Sequence, residues 1–148
     1  MRYIIIMTSL ILFIISSCKT NTASHEKTIF KTEKISLSER TRGTIRDFTL
    51  SNGKMVSSIN GNITTQEISQ NDWSKIVEYT EEINVEGISK LEALSTKRFS
   101  DAALASHITI TKNGIDYQSS TFDSGNPPLE LKNLYNEIQR IIETKKSK

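Results

Sequence analysis

The chain has 148 residues, with 19 Lys and Arg against 17 Asp and Glu and a formal net charge of +2. That length suits one domain with a real core. The charge balance excludes the broad basic stripe of a nucleic-acid-binding domain. A single cysteine, Cys18, excludes an internal disulfide framework.

The first element is Met1–Cys18. Arg2 supplies a positive start, Tyr3 to Ile15 is apolar apart from Thr8 and Ser9, and the small pair Ser16-Ser17 precedes Cys18. A positive start, an apolar run of roughly 7–15 residues and small residues before the cut describe a secretory signal. The run falls short of the ~20 apolar residues of a spanning helix. Ile15-Ser16-Ser17-Cys18 resembles the lipobox of bacterial lipoproteins, with Ile15 and Ser17 standing where that family prefers Leu and Gly or Ala. The resemblance covers only these first eighteen residues. It implies cleavage before Cys18, a diacylglycerol on the Cys18 sulfur and a third acyl chain on its amine. One buried chain binds a bilayer marginally, at ~0.8 kcal/mol per CH₂, whereas two or more anchor stably. The implied address is the cell envelope, with the lipid bilayer as first partner. No acidic cluster follows Cys18, the nearest acid being Glu26. The location expected is therefore the periplasm-facing side of the outer membrane, as in small Gram-negative envelope lipoproteins. Losing Arg2 takes the 19 basic residues to 18, against 17 acidic.

Residues 18–31 read as the lipidated Cys and a polar, patternless tether, in which His25 is incidental. Residues 32–148 read as a single globular domain. Lys34–Ser38 alternates like a strand, and Arg40–Gly43 reads as a turn. Thr44–Ser51, Asn52-Gly53 and Lys54–Ile59 make a hairpin signal. Asn-Gly favours the two-residue type I′ turn, where both residues have φ > 0. That turn pairs Leu50 with Met55, Phe48 with Ser57 and Arg46 with Ile59. Phe48, Leu50, Met55 and Ile59 then share the apolar face, and Asp47, Thr49, Val56 and Ser58 the polar one.

Asn60–Gln66 reads as a polar turn region. Ser69 or Asn71 then caps a helix whose stripe is Trp73, Ile76, Val77, Thr80 and Ile83, with Asp72 in the first turn and Trp73 as a core anchor. Asn84–Leu104 reads as a short helix or irregular turns around Ile88, Leu91 and Leu94, with Asp101 capping a helical turn. Ile108–Lys112, Asn113-Gly114 and Ile115–Thr121 repeat the hairpin pattern. The same register puts Ile108, Ile110, Ile115 and Tyr117 on one face and Thr109, Thr111, Asp116, Gln118 and Ser120 on the other. Phe122–Pro128 is a loop, with Pro128 suited to a first helical turn. Leu131, Leu134, Tyr135, Ile138, Ile141 and Ile142 form a second stripe, and the lysines after it complement the dipole at that helix's end.

These elements predict an α+β fold: an antiparallel sheet of four or five strands with two helices on one face, built as a hairpin–helix pseudo-repeat. The opposite face is open and polar. Strand order is not determined by the pattern.

The residues that carry chemistry are sparse. His107 is the only histidine in the domain, and a nucleophile needs a base beside it. Ser51 and Lys54 have the Ser-x-x-Lys spacing but lie on a hairpin turn, not a helix. A zinc site lacks a His pair, with Cys18 lipidated. Asp101, Asp116 and Asp123 sit in no calcium-loop pattern. No cofactor, metal or nucleic acid is expected. Two surfaces are candidates for binding: the polar sheet face with Asp47, Thr49, Ser58, Thr109, Thr111 and Gln118, and a loop side with Arg40, Arg42, Arg98, Asp123 and Asn126. Gly125 there frees backbone N–H groups to face an anion. The leading expectation is a membrane-anchored, non-catalytic binding or interaction module of the envelope, meeting an envelope protein or a small molecule. The alternatives are a small envelope hydrolase using Asp101 or Asp123 with His107, and a purely structural envelope protein.

Overall fold

Two-residue turns shape the sheet. The computed structural model describes residues 31–146. The signal segment 1–17, Cys18, the tether through residue 30, Ser147 and Lys148 lie outside the described residues. Four strands follow one another as a meander: β1 Thr32–Thr41, β2 Thr44–Ser51, β3 Lys54–Ile59 and β4 Asn62–Glu67. Helix α1 is Gln70–Glu81. Strands β5 Ala105–Lys112 and β6 Ile115–Gln118, a two-residue β7 Phe122–Asp123 and helix α2 Lys132–Lys146 complete the chain. Every pairing is antiparallel, and the order is β4-β3-β2-β1-β5-β6, with β7 added on β5.

The fold is therefore α+β with an antiparallel sheet and two main helices. Its strand count exceeds the four or five expected. The additional long strand is β4, whose side chains are almost all exposed and so carry no apolar alternation. The turn before it does carry a signal: Asn60 (φ 50°) and Gly61 (φ 85°) both occupy the left-handed region a type I′ hairpin requires. Ile63, Thr64 and Thr65 are β-branched and suit extended backbone. The hairpin–helix order does occur twice, with β4 as an extra strand in the first unit.

The hairpin registers agree with turn length. Leu50 faces Met55, Phe48 faces Ser57, Arg46 faces Ile59, and Ile110 faces Tyr117. The turn type at Asn52-Gly53 differs from expectation. Only Gly53 has positive φ (85°) there, so the turn is not type I′. Two residues between the strands fix the register all the same.

The inward face of the sheet carries Ile35, Leu37, Phe48, Leu50, Met55, Ile108 and Ile110. It packs against Trp73 and Ile76 of α1 and Leu134, Ile138, Ile141 and Ile142 of α2. Both helices thus lie on one face. Each such side chain, fully buried, contributes about 1.5–3 kcal/mol. Ile59 and Ile115 belong to this face by register but sit at its rim, 37% and 56% exposed.

Polar side chains fix the helix ends. Ser69 caps α1: its hydroxyl accepts the Asp72 N–H at 3.1 Å and donates to the Asp72 carboxylate at 2.7 Å. At the other end Lys112 Nζ donates to the Thr80 carbonyl at 3.3 Å, a cation on a helix C-terminus. Arg140 of α2 pairs with both Asp72 and Glu137 and so ties α2 to the start of α1. Between α1 and β5 the chain forms two 3-10 helices, Val85–Lys90 and Lys97–Ser100, and Asp101 (φ 56°) ends the second.

Candidate functional site

The face away from the helices is built in rungs across the strands. One rung runs Thr65, Val56, Thr49, Ser36, Thr109, Gln118. The next runs Ile63, Ser58, Asp47, Ser38, His107. All of Asp47, Thr49, Ser58, Thr109, Thr111 and Gln118 share this face, with Thr111 set opposite Lys34 and Asp116. The contribution of β1 is the part that sequence patterning missed, because Ser36 and Ser38 gain their meaning only from strand order. Their hydroxyls stitch the face: Ser36 Oγ lies 3.2 Å from Thr49 Oγ1, and Ser38 donates to Asp47 Oδ1 at 2.6 Å. Thr111 donates to Asp116 at 2.5 Å. Ser120 is not part of it. Its N–H donates to the Ile88 carbonyl at 3.2 Å and its hydroxyl to that of Leu91, so the chain turns off the sheet after Ser119, whose N–H still donates to the Ile108 carbonyl at 2.8 Å.

Asp47, Ser38 and His107 share one rung, yet in an order unsuited to nucleophilic catalysis. Ser38 lies between the other two and donates its proton to the carboxylate. Among the described residues no hydrogen bond joins His107 to Ser38, so no acid orients a base toward the hydroxyl. Burial lowers the His107 pKa, Arg40 lowers it further, and Asp47 opposes both.

On the loop side Arg98, Asp123 and Asn126 come together and Arg42 does not. Asp123, opposite Ala105 at the sheet end, is 1% exposed. Its Oδ2 accepts from the Ser95 hydroxyl at 2.5 Å and the Lys97 N–H at 2.7 Å. Its Oδ1 accepts from the Arg98 N–H and from Arg98 Nη1, both at 3.0 Å. Burial alone would raise its pKa. The Ser95 hydroxyl, the Arg98 backbone and guanidinium, and the Lys97 N–H overturn that and hold it at about 2. Asn126 Nδ2 donates to Ser95 Oγ at 2.8 Å, and its N–H closes a turn onto the Asp123 carbonyl. Gly125 (φ 84°) makes that turn feasible. A cavity of about 430 Å³ opens beside these groups, lined by Ser95, Lys97, Ala103, Asp123, Ser124, Gly125 and Asn126. Arg42 instead pairs with Asp101 at 3.1 Å on an exposed turn.

A second buried acid, Glu39, is 1% exposed and had no part in the sequence reading. Arg46 Nη2 lies 2.8 Å from its Oε2. Its Oε1 accepts from Ser124 at 2.7 Å and from Gln139 at 3.4 Å, with Ser106 and Tyr135 hydroxyls at 3.5 Å. Tyr135 also accepts the Gly125 N–H at 2.8 Å. The signal was present: alternation through Ile35 and Leu37 puts Glu39 inward, and the Arg42-Gly43 turn sets it opposite Arg46. Asp123 and Ser124 are neighbours, so the two acids together pin the Ser95–Arg98 segment and the Asp123–Asn126 turn to the sheet and to α2. Among the described residues no hydrogen bond or ion pair joins His107 to Asp101 or Asp123. Both carboxylates are engaged as above.

No family model matches the chain, and neither curated proteins nor solved structures give a significant match.

Proposed function

We propose that this chain is a lipid-anchored protein of the cell envelope whose open sheet face binds a partner without catalysing a reaction. The anchor rests on Arg2, the apolar run and Ile15-Ser16-Ser17-Cys18. Acylated Cys18 holds the protein to the bilayer, periplasm-facing on the outer membrane, through a polar tether.

The binding role rests on one observation. The rung from Thr65 to Gln118 crosses six strands on the face opposite both helices. At a strand spacing of about 4.8 Å this presents a hydrogen-bonding strip on the order of 24 Å wide. Hydroxyls dominate it, with Val56 within it and the Gln118 amide at one end, and Ile45 and Ile63 are exposed apolar points on neighbouring rungs. Such a surface suits an envelope protein better than a small molecule, which favours a concave apolar site. Glu39 and Asp123 support the reading as scaffold groups, since fixed donors occupy their oxygens.

A photo-crosslinking side chain at Thr49 or Thr109, in cells, tests it. The expected result is a discrete adduct absent when the same group replaces exposed Glu78 on α1. Identical adduct patterns at all three positions would refute the binding face.

A further inference from the structure

β4 is an edge of the sheet among the described residues. In a two-residue hairpin the residues flanking the turn form a hydrogen-bonded pair, and such pairs then alternate along the ladder. Ile59 and Asn62 are that flanking pair. The alternation reaches Gly53 and Ile68, where the Ile68 N–H donates to the Gly53 carbonyl at 3.1 Å. Asn62, Thr64 and Gln66 therefore direct their backbone groups at β3. Ile63, Thr65 and Glu67 direct theirs outward.

Edges are ordinarily blunted by Pro, Lys, a bulge or a covering element. Asn62–Glu67 contains neither Pro nor Lys, and its pairing with β3 runs without a register shift. Ile63 is 71% exposed. The other edge is protected. β6 has four residues, and the chain beyond it is tied by Ser120 to Ile88 and Leu91.

We propose that β4 pairs antiparallel with β4 of a second copy of this chain, about a two-fold axis at Thr65. Thr65 then faces Thr65 of the other copy, and Ile63 faces its Glu67. This register engages every outward backbone group of Ile63, Thr65 and Glu67 in about six hydrogen bonds. It sets no like charges opposite each other. Ile63, Thr65 and Glu67 all lie on the open face, so the two open faces stay on the same side of one continuous sheet. A second copy fits this edge because the two-fold sets Thr65 on Thr65 and Ile63 on Glu67 and pairs no like charges. One usable edge per molecule makes the assembly a closed dimer rather than a fibre. The rung from Gln118 to Thr65 continues across the axis, which doubles the polar face. The pairing follows from the sheet alone and does not depend on the anchor or on a partner for that face.

The test is sedimentation of the full-length chain, purified in the same detergent from whichever cell fraction holds it, against Thr65→Pro and Thr65→Lys. Thr65→Pro removes an N–H that β3 does not use, a position where an edge strand tolerates proline. Thr65→Lys places like charges at the axis. The unsubstituted chain is expected to sediment as a dimer, with both variants dissociating at least about tenfold more readily at unchanged circular dichroism. If Thr65→Pro disturbs the fold, Thr65→Lys carries the comparison. A wild-type chain that is monomeric at every concentration, or a dimer that Thr65→Lys leaves intact, overturns the proposal.

Discussion

Arg98 holds Asp123 with backbone and side chain at once: its N–H and its Nη1 each lie 3.0 Å from the same Asp123 oxygen. A carboxylate so engaged, at 1% exposure, makes the loop around it part of the folded core. Replacing Asp123 with Ala leaves the Arg98 guanidinium without its counter-ion, with only the Ser95 carbonyl at 2.6 Å still accepting from it, and is expected to cost about 3–5 kcal/mol, read from urea unfolding. The pH dependence has a definite sign. The folded-state pKa is about 2 against an ordinary 3.8, so this stabilisation is present above roughly pH 4 and is lost as pH falls toward 2. Asp123→Ala flattens that part of the acid limb.

Glu39 and Asp123 are joined through Ser124, whose hydroxyl donates to Glu39 at 2.7 Å. Substitutions at neighbouring members of one network are not additive. Glu39→Ala alone strands Arg46 and costs about 3 kcal/mol or more. A double-mutant cycle of Glu39→Ala with Ser124→Ala is expected to give a coupling of about 0.5–3 kcal/mol. The same cycle between Glu39→Ala and Ser69→Ala, in a separate element, gives none beyond error.

How legible this was depends on whether the signal is local. The hairpin turns at Asn52-Gly53 and Asn113-Gly114 fixed Phe48 against Ser57 and Ile110 against Tyr117 because two-residue loops leave one register. The α2 stripe was legible because Leu131, just before the helix, and Leu134, Tyr135, Ile138, Ile141 and Ile142 within it are all buried at helical spacing. β4 hid because its side chains touch little on either face, although Asn60-Gly61 announced it. Asp123 was nameable as a loop acid. Its donors come from Ser95 to Arg98, some 25 residues away in sequence and without periodicity. Glu39 hid because an acid at the end of an apolar alternation reads as the strand leaving the core.

His107 reports on the polar face. Burial and Arg40 lower its pKa, and Asp47 resists. Its titration by NMR is expected to have a midpoint below 6.5. Arg40→Gln raises that midpoint, and Asp47→Asn lowers it further. Because the folded-state value is depressed, protonation opposes folding, and this contribution to stability declines as pH drops below 6.5.

The Ser69 cap is a local test of the helix account. Ser69→Ala removes the acceptor of the Asp72 N–H and is expected to cost about 1 kcal/mol. Ser69→Thr, which keeps a hydroxyl that both accepts from the Asp72 N–H and donates to its carboxylate, recovers most of it. Thermal unfolding of the two variants checks this.

The claim on which the functional account turns is that Cys18 carries lipid. Metabolic labelling with a palmitate analogue tests it most directly, comparing the unsubstituted chain with Cys18→Ala. The unsubstituted protein is expected to be labelled and pelleted with membranes, while Cys18→Ala takes up no label. Equal labelling of the two would contradict it.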